Sequence, residues 1–551
     1  MPSFDYIPCK NSAQELFLSL MKKVFILIPL LAIILTSCGQ APPLWGAYST
    51  PTPEVFLSIV DVPSASSTMK PLPTALSAIT PTAQQTVATR QNTLVPTARP
   101  TQIVATKEPA FLYYSQSGDT LEVVAIHFGV DVAEISSGET LPSAQALLDP
   151  GTLLSIPKRL EETTSSEQLF PDNEVVFSAT SIDFDTIAFV EEAGGYLSEY
   201  REYLGSTGWT TGAEGVARQA QENSLNPRLL LALVEYESGW LLGQPGNLSE
   251  TDYPLGYIDT RKHGLFRQMM VTVQDLAVGY YGWRDGTLTE LTFSDGTTMR
   301  IAPELNAGSV AIQYYFSLKM EPDLWAQTVD PNIGFPAFYA DTFGDPWARA
   351  QAVGPLFPAG LEQPELVLPF EPRRVWAYTG GPHSAWAHEG AQAALDFAPS
   401  GDYSGCAETD KWVVASAPGL IVRSDHGVVM LDLDGDGNEE TGWNLLYLHI
   451  GTEGRIPLGS WVEIDDRLGQ PSCEGGVSTG THLHLARKYN GEWMLASGPI
   501  PFNLDGWIAH AGEKSYVGTL TRGDELITSS LVGELWSVVL REDPEETEKE
   551  E

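Results

Sequence analysis

The chain has 551 residues, 43% of them hydrophobic, and a formal net charge of −40. That length exceeds a single hydrophobic core and implies about three domains, while the apolar share lets most of the chain fold. So acidic a chain repels phosphate, which excludes nucleic acid as a partner and fits an exported or surface-exposed body.

The stretch MKKVFILIPLLAIILTSCGQ begins at Met21 with two lysines, runs through an apolar core and reaches small residues before Cys38. The layout is that of a signal peptide, and the apolar run is short for a membrane-spanning helix. Leu35-Thr36-Ser37-Cys38 resembles the bacterial lipobox, which implies a lipid on Cys38 and residues 1–38 as leader. An ordinary cleaved signal peptide or an anchor helix is the alternative. Met21 is the better start, and Cys9 is then lost with the residues ahead of it. From 39 to 109 the chain is rich in Pro and Thr, shows no sustained period and reads as an extended tether.

Residues 110–158 read as strand, helix, helix, strand. Asp119 or Thr120 is the expected N-cap of the first helix, with Val123, Val124 and Phe128 at helical spacing. The SGDTL start, the central A..FGV and the closing L.PG..L.IP resemble the LysM module, of βααβ fold. That resemblance implies binding of N-acetylglucosamine-containing glycan such as peptidoglycan. A short linker, 159–183, follows.

Residues 184–360 read as mostly helical. Asn226-Pro227 opens a helix with Pro in its first turn, and Leu229, Leu230, Leu233 and Val234 form its apolar stripe. The run from Asn226 to Gly239 resembles the catalytic helix of lytic transglycosylases and goose-type lysozymes. The match implies a lysozyme-like domain with Glu237, before Ser238, as general acid, and Glu235 as the competing carboxylate. A loose echo of that family's next block stands in HGLFRQMM, His263 to Met270. A structural helix residue is the plainer reading of Glu237.

Seven of the nine histidines lie beyond Val375, in a region of alternating apolar residues and turn signals. Asn490-Gly491 marks a hairpin, and DLDGDGNEE a loop between strands. His482 and His484, two apart in a strand, share one face. Three blocks fit together: TGGPHSAWAHEGAQAALDF, LLYLHI and PSCEGGVSTGTHLHLA. They resemble the M23 zinc metallopeptidases, over roughly Arg373 to Trp507. His383 precedes Asp396 by thirteen residues, and Gln392 stands where the commonest branch has its first His; this spacing and the cysteine-containing third block resemble the β-lytic and staphylolysin-type branch. The resemblance implies an antiparallel β-rich peptidase domain, 370–515, with His383, Asp396 and His484 as zinc ligands. It implies His449 and His482 as the groups that activate water and stabilise the oxyanion. His388 is an alternative first ligand; His426 and His510 belong to no motif.

Cys406 and Cys473, the two cysteines left in an exported chain, are expected to pair. Asp432, Asp434 and Asp436, with Glu440 beyond them, have the alternation of a calcium loop, although Trp443 stands at its twelfth position; an acidic hairpin turn is the equal alternative. Residues 516–551 form an extension with an acidic tail. The reading is a lipid-anchored, extracytoplasmic zinc endopeptidase that binds peptidoglycan. Its rivals are a non-catalytic wall-binding scaffold and a glycan-cleaving enzyme acting through Glu237.

Overall fold

A computed structural model describes residues 110–386, 388–401 and 405–543. Cys38, the rest of the leader and the tether 39–109 lie outside the described residues, as does the end of the acidic tail. No helix among the described residues is long and apolar enough to cross a membrane.

The first unit builds a three-stranded antiparallel sheet from Ala110–Tyr114, Leu153–Pro157 and Ser136–Ser137, in that order across the sheet. One helix, Leu121–Phe128, packs on it. Thr120 is its N-cap, its hydroxyl accepting from Val123 N, whereas the Asp119 carboxylate accepts from the Tyr113 hydroxyl and Gln116 N. The expected second helix is only a 3-10 turn, Val132–Glu134. Gly129 in the left-handed region ends the first helix, and a capping box between Asp131 and Glu134 closes the turn at once. The backbone then enters the extra strand Ser136–Ser137, so the unit departs from a plain βααβ pattern.

The next region is helical. Thr211 and Glu214 form a capping box at the start of Gly212–Asn223. Asn226 caps Pro227–Ser238, which ends at Gly239 in the left-handed region. Leu265–Arg284 packs against Ala307–Ser317. Six consecutive residues, Leu229 to Val234, are fully buried, so the middle of this helix is apolar all round and occupies the centre of its region. Trp240, Tyr280, Tyr315, Phe316, Phe335 and Tyr339 fill the space around it, each worth about 1.5–3 kcal/mol on burial.

The last region is built on a nine-stranded antiparallel sheet. Its order is Trp461–Val462, Gly419–Asp425, Val428–Asp432, Trp443–Leu448, Leu483–Tyr489, Ala394–Pro399, Val375–His383 and Val538–Leu540, with Glu492–Trp493 returning on the end of Leu483–Tyr489. The return is made by Asn490 and Gly491, both at positive φ, as an Asn-Gly turn requires. Alternation divides the two faces. Leu395, Phe397, Leu483, Leu485 and Tyr447 bury into one core. Ala394, Met430, Leu446 and Ala486 point the other way and join the core of the helical region. Asp396 and His484 lie on this second face, further along the strands. A four-stranded antiparallel sheet, Asn503–Leu504 to Glu525–Thr528, adjoins the Val375–His383 strand.

Candidate metal centre

Four of the sequence-selected histidines come together around Asp396. Asp396 and His484 face each other in register on neighbouring central strands, and His383 ends the strand on the far side of Asp396. His383 Nε2 lies 3.0 Å from His484 Nδ1, and each of these nitrogens lies 3.3 Å from Asp396 Oδ1. His482 Nε2 is 3.7 Å from the same oxygen. The His449 ring is 4.6 Å from that of His482, centroid to centroid.

Backbone carbonyls choose which nitrogen each ring presents. His383 donates from Nδ1 to Gly381 O at 2.8 Å, which leaves the Nε2 lone pair facing inward. His484 does the reverse, donating from Nε2 to Ala385 O at 2.9 Å and presenting Nδ1. His449 Nδ1 bonds Glu474 O at 2.7 Å, and His482 Nδ1 bonds Gly480 O at 2.8 Å. Burial lowers the His484 pKa, and burial followed by the neighbouring His482 lowers that of His449 to about 3. Burial alone would raise that of Asp396, but the imidazoles of His383 and His484, each 3.3 Å from its Oδ1, outweigh it and hold it below the usual carboxylate range. The result is an ionised Asp396 carboxylate beside His449 and His484 rings that favour the neutral form.

This set fits a metal ion. Asp396 Oδ1 is buried without a hydrogen-bond donor. Two of the three donor separations, both 3.3 Å, match the edges of about 3.3–3.6 Å expected around a tetrahedral ion with ligands at 2.0–2.2 Å, and the third, 3.0 Å, is slightly shorter. Two imidazoles and one carboxylate leave one position open, as a catalytic centre needs.

The glycines of the GGPH segment have a steric reason. A Cβ on Gly380 would lie 2.6 Å from Asp396 Oδ2, and one on Gly381 would lie 2.4 Å from Gly518 N. His449 follows the Trp443–Leu448 strand at φ +68, an uncommon conformation for a residue other than glycine and one that concentrates at functional sites. Cys406 and Cys473 are joined by a disulfide, next to the Glu474 carbonyl that orients His449.

Other sequence-selected residues lie elsewhere. His388, His426 and His510 are exposed. Glu237 sits in the helical region, where its Oε1 accepts from Lys319 Nζ at 2.8 Å and from the Tyr315 hydroxyl at 2.9 Å. Glu235 accepts from Leu241 N and Leu242 N, both at 2.8 Å, and so braces the turn after its helix. Asp432, Asp434 and Asp436 form a second group of potential ligands. One neighbour of the histidine cluster escapes a reading of motifs: Tyr516, whose ring stacks on His383 at 4.1 Å. A lone tyrosine in a turn between strands carries no sequence signal for that role.

A family model described as "LasA, N-terminal domain" matches residues 168–356, which takes in most of the helical region. The chain is 25% identical over 285 residues to "Protease LasA" of Pseudomonas aeruginosa, covering 50% of this chain and 65% of that protein. It is 28% identical over 159 residues to "Beta-lytic metalloendopeptidase" of Achromobacter lyticus, covering 27% of this chain and 39% of that protein. The chain is similar in sequence to both of these proteases. It thus spans less than two thirds of the length of either relative. A solved structure described as "A Novel M23 Metalloprotease Pseudoalterin from Deep-sea" aligns with a TM-score of 0.26 at 21% identity, over 31% of this chain and 96% of that one.

Proposed function

We propose that the chain is an exported zinc endopeptidase that cuts the peptides of bacterial peptidoglycan. The observation that carries this reading is the triangle of His383 Nε2, His484 Nδ1 and Asp396 Oδ1, with separations of 3.0, 3.3 and 3.3 Å. Zinc bound there supplies a lowered pKa for a water and polarises the scissile carbonyl. The chain's own residues do the rest. His383 and His484 keep their tautomers through Gly381 O and Ala385 O. His449, neutral and anchored through Nδ1, offers Nε2 to take a proton from the attacking water. His482 is the most open of the four, with its side chain 17% exposed, and is placed to donate to the oxygen on which charge develops.

The amino-terminal parts supply delivery. Lipid on Cys38 anchors the protein to the cell envelope, and the Pro/Thr-rich tether lets the folded regions reach the wall. The LysM-like unit holds glycan, which raises the effective concentration of peptide at the histidine cluster without new contacts there.

The test is mass spectrometry of peptidoglycan digested with the chain from residue 39 onward, beside a His484→Ala sample. New peptide amines that disappear in the variant support the reading. Intact peptides in both digests refute it, and new sugar ends in both assign the chemistry to the helical region instead.

A further inference from the structure

The loop between the Val428–Asp432 and Trp443–Leu448 strands places carboxylate oxygens of Asp432, Asp434 and Asp436 within 4.8 Å of one another. An acidic turn of this kind says little by itself. What sets this one apart is Asn444. It stands directly opposite Asp432 in the antiparallel register, so both side chains leave the sheet on one face with adjacent Cβ atoms. Asn444 is fully buried. Its Nδ2 donates to Thr441 O, inside the loop, at 2.7 Å, while its Oδ1 has no hydrogen-bond partner among the described residues. With its nitrogen held by the loop and its Cβ beside that of Asp432, the buried amide stands at the base of the loop, and its oxygen is an unmet acceptor next to Asp432. Loop N–H groups already donate to Asp432, from Asp434, Gly435 and Gly437, but they bring no positive charge to the group, and the Asn444 oxygen takes none of them.

Neighbouring side chains do not supply a cation. Arg423 and Lys488, the buried cations of the adjoining strands, both pair with Glu439. Asp434 folds back across the loop toward the start of the Trp443–Leu448 strand, since a Cβ on Gly442 would lie 2.1 Å from its Oδ2. Asp434 and Asp436 are exposed, so the loop is open to an ion from solvent.

We infer that Asp432, Asp434, Asp436 and the amide oxygen of Asn444 form a calcium site separate from the histidine cluster. The donors are all oxygens, a set that suits a hard cation and offers nothing to a thiophilic or imidazole-preferring metal. The run Asp-x-Asp-x-Asp-Gly, with Gly437 at φ +91 in the sixth place, repeats the opening of an EF-hand loop. Where that loop has a glutamate at position twelve, this chain has Trp443, and the next residue reaches in from the strand instead. Calcium tolerates mixed carboxylate and amide ligands in irregular geometry, whereas magnesium demands a near-octahedral one and retains more of its waters. The ion ties the ends of two central strands, the second of which runs directly into His449.

Terbium luminescence tests the site without reference to activity. The Trp461 ring is close enough to the loop to sensitise the ion, as a Cβ on Gly435 would lie 2.8 Å from it. The full chain, saturated with zinc, is titrated with terbium and then with calcium or magnesium. The expected result is one saturable emission, displaced by calcium at a concentration at least tenfold lower than by magnesium. Excess calcium raises the unfolding midpoint by a few degrees. The exposed pair of changes Asp434→Asn and Asp436→Asn removes both effects, and His484→Ala retains both. Emission that survives the paired change, no saturable emission, or a midpoint indifferent to calcium overturns the inference.

Discussion

Arg284 and Glu492 form a buried ion pair, with Nη2 of the one 2.9 Å from Oε2 of the other and both side chains less than 10% exposed. Arg284 ends the long helix of the middle region, and Glu492 lies just past the Asn490-Gly491 turn of the central sheet. The same guanidinium binds Asp172 at 2.8 Å and the Ser117 carbonyl in the first unit. One side chain thus joins all three parts of the described structure.

Replacing Arg284 by Ala leaves Asp172 and Glu492 buried without their cation. A broken buried pair costs about 3–5 kcal/mol. Glu492→Gln, which keeps a hydrogen-bond partner for Tyr280 and leaves Asp172 paired, should cost clearly less. Urea unfolding of the two variants measures the difference, and equal costs would contradict the assigned role of the hub.

The histidines should separate into holders and actors. His383→Ala or His484→Ala is expected to lose both bound zinc and peptide cleavage. His449→Ala should retain zinc while turnover falls by about 10²–10⁴. Metal analysis of the purified variants beside cleavage rates distinguishes the two classes.

Glu237→Gln should leave peptide cleavage unchanged. It breaks the ion pair with Lys319, whose ammonium also donates to Leu255 O, so the expected loss is in melting temperature. A fall in new sugar ends with the fold intact would instead give Glu237 a chemical role.

His127 introduces a pH dependence at the first interface. Its ring is buried and stacks on Trp283 at 3.5 Å. Burial lowers its pKa from 6.5 to about 3. The folded state therefore binds fewer protons than the unfolded chain between these values. Its contribution to stability is complete above about pH 6.5 and is lost progressively as pH falls toward 3. His127→Phe keeps the stack without the titration, so its melting temperature should fall less between pH 7 and pH 4 than that of the parent. Tryptophan fluorescence during melts at the two pH values reads this directly.

The Cys406–Cys473 disulfide closes a loop between residues 67 apart. Loop entropy alone gives it about 4 kcal/mol. Cys473→Ser should lower stability by up to that amount. It should also reduce turnover, because the adjacent Glu474 carbonyl sets the orientation of His449. Melts with and without reductant check the first effect, and cleavage rates the second.

Much of the histidine cluster could be read from residue order, because strand alternation puts His482 and His484 on one face and the GGPH and LDF blocks supply the partners. The tautomers could not, since they depend on the carbonyls of Gly381, Ala385, Glu474 and Gly480, which every residue has. Asn226-Pro227 and Gly239 delimit their helix as local rules predict. By contrast, the second helix of the first unit shrank to one turn because the capping box after Gly129 leaves it no length. The docking of Ala394, Met430, Leu446 and Ala486 on helices was invisible for another reason. An apolar strand residue states only that it is buried, and nothing in its sequence names the partner that buries it.

That docking makes the sheet and the helices a single cooperative folding block. Cut out as residues 370–515, the sheet would present Val428, Met430, Leu446, Ala486 and Trp493 to water, an adhesive surface in place of an interior. The helices would be left in turn without the cover that Glu492 and Trp493 give to Tyr280 and Tyr281. Neither half inherits a finished exterior. Calorimetry of the whole chain should then give one heat-absorption peak for both, and a soluble fragment has to begin no later than Leu169.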